Sequence, residues 1–248
     1  MTLTSALIIL ATVLVTTFIS GIFGMAGGII FMGVLAALVP VATAMIIHGS
    51  IQMISNGYRA YLWRKHIQWP VFRRYALGSL AAVGLLFALS WRPDRETVFL
   101  MLGLTTLLVW LPKSVVDLDI QKRFQAEGAG FVVQALNTVA GVAGPLLDLF
   151  FVRTDMTRQA IVATKAVTQV LAHFVKIIFW SVPVLAAAGL QTLPPAWLIL
   201  AAVPLSMLGT TLGGKVLDRM TDVNFKRGMK YLVTGIGAVM LMKAAGWL

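Results

Sequence analysis

The feature that most constrains this chain is a series of long apolar segments with very few charged residues. No Lys or Arg occurs before Arg59, and most of the first twenty residues are apolar. A helix needs about 20 predominantly apolar residues to cross the hydrocarbon core of a bilayer, so we predict that the chain spans a membrane. The N-terminus lacks the basic start of a signal peptide, and we expect it to belong to the mature protein.

Composition supports the same fold class. Hydrophobic residues make up 59% of the 248 residues and charged residues only 12%, whereas soluble domains carry about 45–50% and 25%. The surplus apolar surface requires contact with lipid. We therefore predict an all-α integral membrane protein, a polytopic helix bundle in the lipid bilayer.

The net charge of +11 would suggest a nucleic-acid partner if the chain were soluble. Here most Lys and Arg residues lie in a few short connections, as expected of cytoplasmic loops, so we expect no nucleic-acid partner. The chain contains no cysteine, which excludes disulfides, thiol redox chemistry and Cys-ligated metals.

The apolar segments form two similar sets. The candidate helices are 3–20, 29–39, 41–63, 75–90 and 97–111 in the first set, and 128–140, 146–151, 157–182, 196–212 and 229–242 in the second. The longest polar linker separates the sets. We predict a first membrane repeat over 1–112, a cytoplasmic linker over 113–127, and a second, inverted membrane repeat over 128–248.

A shift of 117 positions aligns the two sets. The identical pairs are Gly24 with Gly141, Ala26 with Ala143, Gly27 with Gly144, and Gln52 with Gln169. These identities are few, so the inference depends on spacing: a glycine break, followed by polar residues at the same helical offsets. We interpret the pattern as a duplicated membrane unit whose two copies build one site.

Loop charge predicts the orientation of the helices. The Lys- and Arg-rich connections 64–74, 113–127 and 215–230 should be cytoplasmic, and the net-neutral connections 91–96 and 183–195 should be external. The helix 41–63 then runs inwards and its counterpart 157–182 runs outwards. This inverted arrangement occurs in many secondary transporters.

The same rule predicts that both termini are external. We expect the membrane itself to be a bacterial inner membrane. Segments 128–140 and 146–151 are too short to cross about 30 Å of hydrocarbon. Whether such short segments form re-entrant hairpins or parts of full spans stays open.

The glycine breaks at 24–28 and 141–145 each precede a new short helix. A helix N-terminus presents unpaired N–H groups and about half a positive charge, and glycine lets an anion approach them. Two breaks entering from opposite faces would direct both N-termini at one point. The candidate substrate-binding glycines are Gly24, Gly27, Gly28, Gly141 and Gly144. The alternative is that these glycines only allow close helix packing.

Polar residues follow each break at positions i, i+4, i+8 and i+11, which form one helix face. They are His48, Gln52, Asn56 and Arg59 in the first copy, and Lys165, Gln169, His173 and Lys176 in the second. The first three of each set are candidate substrate-binding residues, with interhelical bonding as the alternative for Gln52 and Asn56. Arg59 and Lys176 are nearer the predicted helix ends and could snorkel.

Lys165 lies well inside its predicted helix, where a charge costs about 2.5–3.5 kcal/mol or more unless it is paired or solvated. We expect it to handle substrate or a proton. Asp148, His48 and His173 are candidates for proton coupling. The alternatives are that Asp148 pairs with Lys165 or is stabilised near a helix N-terminus, and that the histidines are hydrogen-bonded core residues. Asn137 and Ser20 could donate to a substrate or satisfy broken backbone.

The sequence contains no enzymatic motif of the HExxH, GxSxG or P-loop type and no paired intramembrane aspartates. Three scattered histidines without cysteine support a metal site only weakly. We predict that the protein is not an enzyme and needs no cofactor or metal.

The breaks carry a family resemblance. They read Gly24-Met25-Ala26-Gly27-Gly28 and Gly141-Val142-Ala143-Gly144-Pro145. With the chain size, the order of segments and the basic connection after the polar helix, the sequence resembles the TauE/SafE (TSUP) family of sulfite exporters over essentially its whole length. Both breaks depart from the family's usual G-x-G-G-G. The resemblance implies transport of small sulfur-containing anions or organic acids, including sulfite, sulfonates and related carboxylates.

Three functions fit these observations. The one we favour is a secondary transporter that moves a small anion by alternating access, with a proton as candidate coupling ion. The others are a passive anion channel and a membrane subunit that scaffolds a larger complex through its basic connections. A homo-oligomer is compatible with each.

Overall fold

The computed structural model describes residues 2–23, 26–110, 118–151, 154–189, 193–217, 219 and 222–247, and these residues form a helix bundle. The α-helices are α1 (Leu3–Phe23), α2 (Ala26–Leu38), α3 (Val41–Leu62), α4 (Trp69–Leu89), α5 (Arg95–Thr106), α6 (Gln125–Ala140), α7 (Gly144–Phe151), α8 (Arg158–Ala188), α9 (Ala196–Leu217) and α10 (Asp222–Ala244). No strand occurs among the described residues. Each segment predicted from hydropathy is helical, which confirms the all-α fold class.

Four helical segments are long and apolar enough to cross a bilayer. They are Leu3–Ile22, Trp69–Leu89, Gln159–Ala187 and Ala196–Val216. The helix α3 has comparable length, with 22 residues, but its polar residues lower its hydropathy. We call these residues (His48, Gln52, Asn56 and Arg59), and the matching set on α8 (Lys165, Gln169, His173 and Lys176), the polar stripes. The chain is therefore a multi-pass membrane protein.

Four helices, α4, α8, α9 and α10, extend five or more residues beyond the segments predicted from hydropathy. The helix α4 begins at Trp69, six positions before the predicted start, because Arg73 and Arg74 continue the helix beyond its apolar part. The helix α8 continues through Pro183 to Ala188, six positions beyond the predicted end at Val182. The extension of α8 increases the distance between its polar residues and the helix end.

In this bundle, helices of the first set pair mainly with helices of the second set. The most extensive contacts join α1 to α9, α4 to α6, α3 to α8, and α5 to α10. If α1–α5 are matched in order with α6–α10, the counterpart of the α1–α9 pair is the α6–α4 pair. The pairs α3–α8 and α5–α10 each join a helix to its own counterpart. This pattern is what a two-fold relation between the sets requires, and the inversion itself stays a prediction.

The helices α3 and α8 lie antiparallel. His48 contacts Lys176, Gly57 lies nearest Val170, and the backbone N–H beyond the end of α3, at Gln68, donates to Thr164 Oγ1 at 3.0 Å. Residue numbers therefore rise along α3 as they fall along α8. Both polar stripes thus lie in one interface.

Close backbone approach holds the α4–α6 pair together. A Cβ added to Gly78 of α4 would overlap the Glu127 carbonyl of α6, and one added to Gly130 would overlap the Tyr75 carbonyl. Small residues at such crossings are the usual means of packing helices in membranes, where van der Waals contact replaces the hydrophobic effect.

We predict that Gly78→Ala destabilises the protein by about 1–3 kcal/mol, because the new methyl group overpacks a backbone contact that has no room to yield. Thermal unfolding in detergent, followed by tryptophan fluorescence, measures the change. Gly84→Ala is the matched control, since Gly84 lies on the same helix and a Cβ added there would have no neighbour within 4 Å. Equal melting temperatures for the two variants would contradict this account of the packing.

Candidate functional site

A polar pocket lies between the two sets of helices. It encloses about 420 Å³ of space, including its open side, and both sets contribute to its wall. The lining residues are Ser20, Gly28, His48, Gln52, Ser55, Asn56 and Arg59 from α1–α3, and Asn137, Val142, Gly144, Gln169 and His173 from α6, α8 and the second break. The fold thus brings together residues of both sets of helices around one cavity.

The structure places most of the predicted site residues at this pocket. Seven of the eleven candidate substrate-binding residues line it: Gly28, His48, Gln52, Asn56, Gly144, Gln169 and His173. Gly24 lies outside the described residues. The other three, Gly27, Gly141 and Lys165, lie beside the pocket and contact protein groups.

Two of these candidates show why glycine is needed at the breaks. A Cβ on Gly27 would overlap the Thr16 carbonyl of α1 and the Ser20 hydroxyl, so this residue permits close packing. Gly141 ends α6 with φ of +85°, a left-handed conformation that glycine adopts without strain. Both glycines shape the pocket from behind its lining.

Lys165 and Asp148 form an ion pair. Lys165 Nζ donates to Asp148 Oδ1, which connects α8 to the short helix α7. Their side chains are 22% and 37% exposed, so the pair is only partly withdrawn from solvent. The pairing that the sequence left as an alternative for Asp148 therefore occurs, and the Lys165 charge is balanced in this conformation.

The deep end of the pocket contains a chain of hydrogen bonds between the two breaks. Lys176 Nζ lies 2.8 Å from the Gly141 carbonyl oxygen and 2.8 Å from His48 Nδ1. His48 Nε2 lies 3.0 Å from the Gly28 carbonyl oxygen. A carbonyl only accepts, so Nε2 carries the proton and Nδ1 is the acceptor for the Lys176 ammonium.

Sequence reasoning left Arg59 and Lys176 out of the candidate substrate-binding residues. Arg59 lines the pocket, and Lys176 is fully buried beside it, so Lys176 does not snorkel. The spacing could have identified them, because both residues lie at position i+11, on the same helix faces as the named candidates. The extension of α8 to Ala188 explains the error, since it places Lys176 about 18 Å from the helix end.

Several buried polar atoms at the pocket lack partners among the described residues. They are Nδ2 and Oδ1 of Asn137, Nε2 of Gln169 and Nδ1 of His173. A buried donor without a partner costs about 1–3 kcal/mol. These atoms line the pocket, so a polar ligand there would satisfy them.

Burial changes along the stripe of α3. His48 is fully buried, whereas Gln52, Asn56 and Arg59 are half-buried. The pocket therefore opens toward the end of α3 that leads into the basic connection 64–74, and it is closed at His48. In the described ranges, no three His, Asp or Glu side chains are close enough to hold a metal ion.

The fold and this pocket define a multi-pass membrane protein with a polar cavity inside its helix bundle. The family model described as sulfite exporter TauE/SafE matches residues 8–240. The chain belongs to this family of membrane transporters, as the breaks predicted. No curated protein and no solved structure matches the chain.

We predict that the Lys165–Asp148 pair stabilises α7 against α8. Asp148→Asn should lower the free energy of unfolding by on the order of 2 kcal/mol, less than the 3–5 kcal/mol of a fully buried pair because Asp148 is partly exposed. Adding Lys165→Gln to that variant should recover part of the loss. A double variant that is less stable than either single variant would contradict the pairing as the source of stability.

Proposed function

We propose that this protein is a secondary transporter that moves a small anion across the bacterial inner membrane by alternating access. The substrate class is sulfite, a sulfonate, or a related organosulfur or organic acid anion. Family membership supports the class of protein, and the pocket described above supports the class of substrate.

The observation that carries the proposal is the sign of the charge around the pocket. Within the described ranges its lining includes Arg59 and no Asp or Glu, and Lys176 is buried next to His48. Among the described residues, neither Arg59 nor Lys176 pairs with a carboxylate. A positive charge inside a membrane protein is costly unless an opposite charge compensates it, and a bound anion would supply that charge.

The neutral groups of the pocket fit the same ligand. The amide nitrogens of Asn137 and Gln169 are donors without partners in the described part of the chain. The N-terminus of α7 adds backbone N–H groups at Gly144, which lines the pocket. Donors from several directions suit an anion with several oxygen acceptors, such as a sulfite or sulfonate group.

Two features support alternating access. The helices α3 and α8, which carry the two polar stripes, lie antiparallel. The main helix contacts also form the pattern that a two-fold relation between the sets requires, as in transporters with inverted repeats. The pocket is open at Arg59 and closed at His48. If the connection 64–74 is cytoplasmic and both termini are external, this conformation faces the cytoplasm.

Proton coupling is part of the proposal, with His48, His173 and Asp148 as the candidate groups. His48 and His173 lie close together, with ring centroids 5.5 Å apart. Uptake driven by an imposed pH gradient, compared with uptake driven by a substrate gradient alone, tests whether a proton moves with the anion.

We predict that purified protein in liposomes takes up labelled sulfite with saturable kinetics and counterflow. Arg59→Gln should lower the apparent kcat/KM about 10- to 150-fold, the effect of losing a hydrogen bond of about 1.5–3 kcal/mol to a charged group. Arg64→Gln is the matched control, because Arg64 lies just beyond α3, is exposed and is absent from the pocket lining.

An equal loss of kcat/KM in Arg59→Gln and Arg64→Gln would contradict the proposed role of the pocket in binding the anion. Flux that never saturates and shows no counterflow would identify a channel instead. Absence of flux for every small anion tested would favour a scaffold subunit.

A further inference from the structure

We propose that His48 and Lys176 form a clasp that ties the two breaks together and closes the deep end of the pocket. These are positioning residues in transport: they hold the wall of the site in place and must separate for the pocket to open at that end. The inference rests on the proposed function only where it assigns the clasp to a transport cycle.

The clasp connects four backbone elements through two side chains. The Gly28 carbonyl belongs to the first turn of α2, and the Gly141 carbonyl belongs to the turn that ends α6. His48 comes from α3 and Lys176 from α8. Each set of helices therefore contributes one side chain and one carbonyl, and the 2.8 Å bond between Lys176 and His48 joins the sets.

The clasp is closely packed among aromatic and apolar side chains, with the His173 ring 5.5 Å from that of His48. The Phe31 ring stacks on His48 with centroids 5.6 Å apart, and Met32 and Met45 lie against Gly141. Both clasp side chains are fully buried. Water is therefore excluded from this end, while the half-buried Asn56 marks the open end.

A purely structural cap on the Gly141 carbonyl would need only a neutral donor here. A buried cation without a carboxylate partner is costly, and among the described residues Lys176 has no such partner. Its charge is held by the Gly141 carbonyl at the C-terminal end of α6, where the helix dipole favours a cation. The bonds to His48 and to the Gly141 carbonyl both involve the Lys176 ammonium, so a movement of this one side chain breaks both. Such a contact suits a wall of the pocket that opens and closes.

The absence of cysteine from the chain allows a direct test. Met45→Cys reports on the deep end, and Asn56→Cys reports on the open end. Each is placed in the parent protein and in Lys176→Met, and the reaction rate with a small anionic methanethiosulfonate reagent is measured in detergent.

We predict that Met45→Cys reacts slowly in the parent and about tenfold faster with Lys176→Met, since losing the clasp raises the population of the open deep end. Asn56→Cys should react readily in both backgrounds. Lys176→Arg, which keeps a cation with several donors, should restore slow labelling at Met45→Cys.

Lys165→Met combined with Asp148→Asn is the matched control, because it removes the other lysine of the α8 stripe together with its partner, and their bond lies within the second set of helices. It should leave the Met45→Cys rate unchanged. If Lys176→Met does not fold, as judged by gel filtration, His48→Leu provides the second test of the same bond and should also speed labelling.

Equal Met45→Cys rates in the parent and in a folded clasp variant would overturn the proposal. The labelling assay needs no substrate, so its outcome is separate from that of the flux assay. Faster labelling together with no anion flux would support the clasp and contradict the proposed function.

Discussion

One hydrogen bond, from the Lys176 ammonium to His48 Nδ1, connects the two interrupted regions of this protein. Irregular backbone inside a membrane persists only where protein groups or a cavity satisfy it. Here Lys176 satisfies the end of α6 at Gly141, and His48 bonds to the first turn of α2 at Gly28. The pocket lies next to this linkage, so its shape depends on the same contacts that make the breaks possible.

The two halves of the chain make unlike contributions at equivalent positions. With the shift of 117 residues, His48 corresponds to Lys165 and Phe31 corresponds to Asp148, and each pair is in contact in its own half. In the first half the contact is a ring stack and in the second it is an ion pair. The predicted duplication would account for the matching positions of these two contacts, while the side chains differ in charge.

Hydropathy and loop charge predicted the helices, but they could not predict depth. The helices cover the apolar segments, and this rule located most helix ends to within a few residues, although one end each of α4, α8 and α10 differs by six or seven residues. It failed where a proline does not end the helix, since α8 continues through Pro183 to Ala188. The polar stripes predicted that His48 and Gln169 share a site. The partners of Lys176 depend on tertiary contacts with the second break, which no local pattern records.

The central claim is that the pocket between the two breaks binds a small anion. A crystal structure with selenite, a heavier analogue of sulfite, tests this most directly, because anomalous scattering locates selenium independently of the protein model. The account predicts a peak within hydrogen-bonding distance of the Asn137 and Gln169 amides and near Arg59. A pocket without a peak, with selenium only at the exposed basic connections, would contradict it.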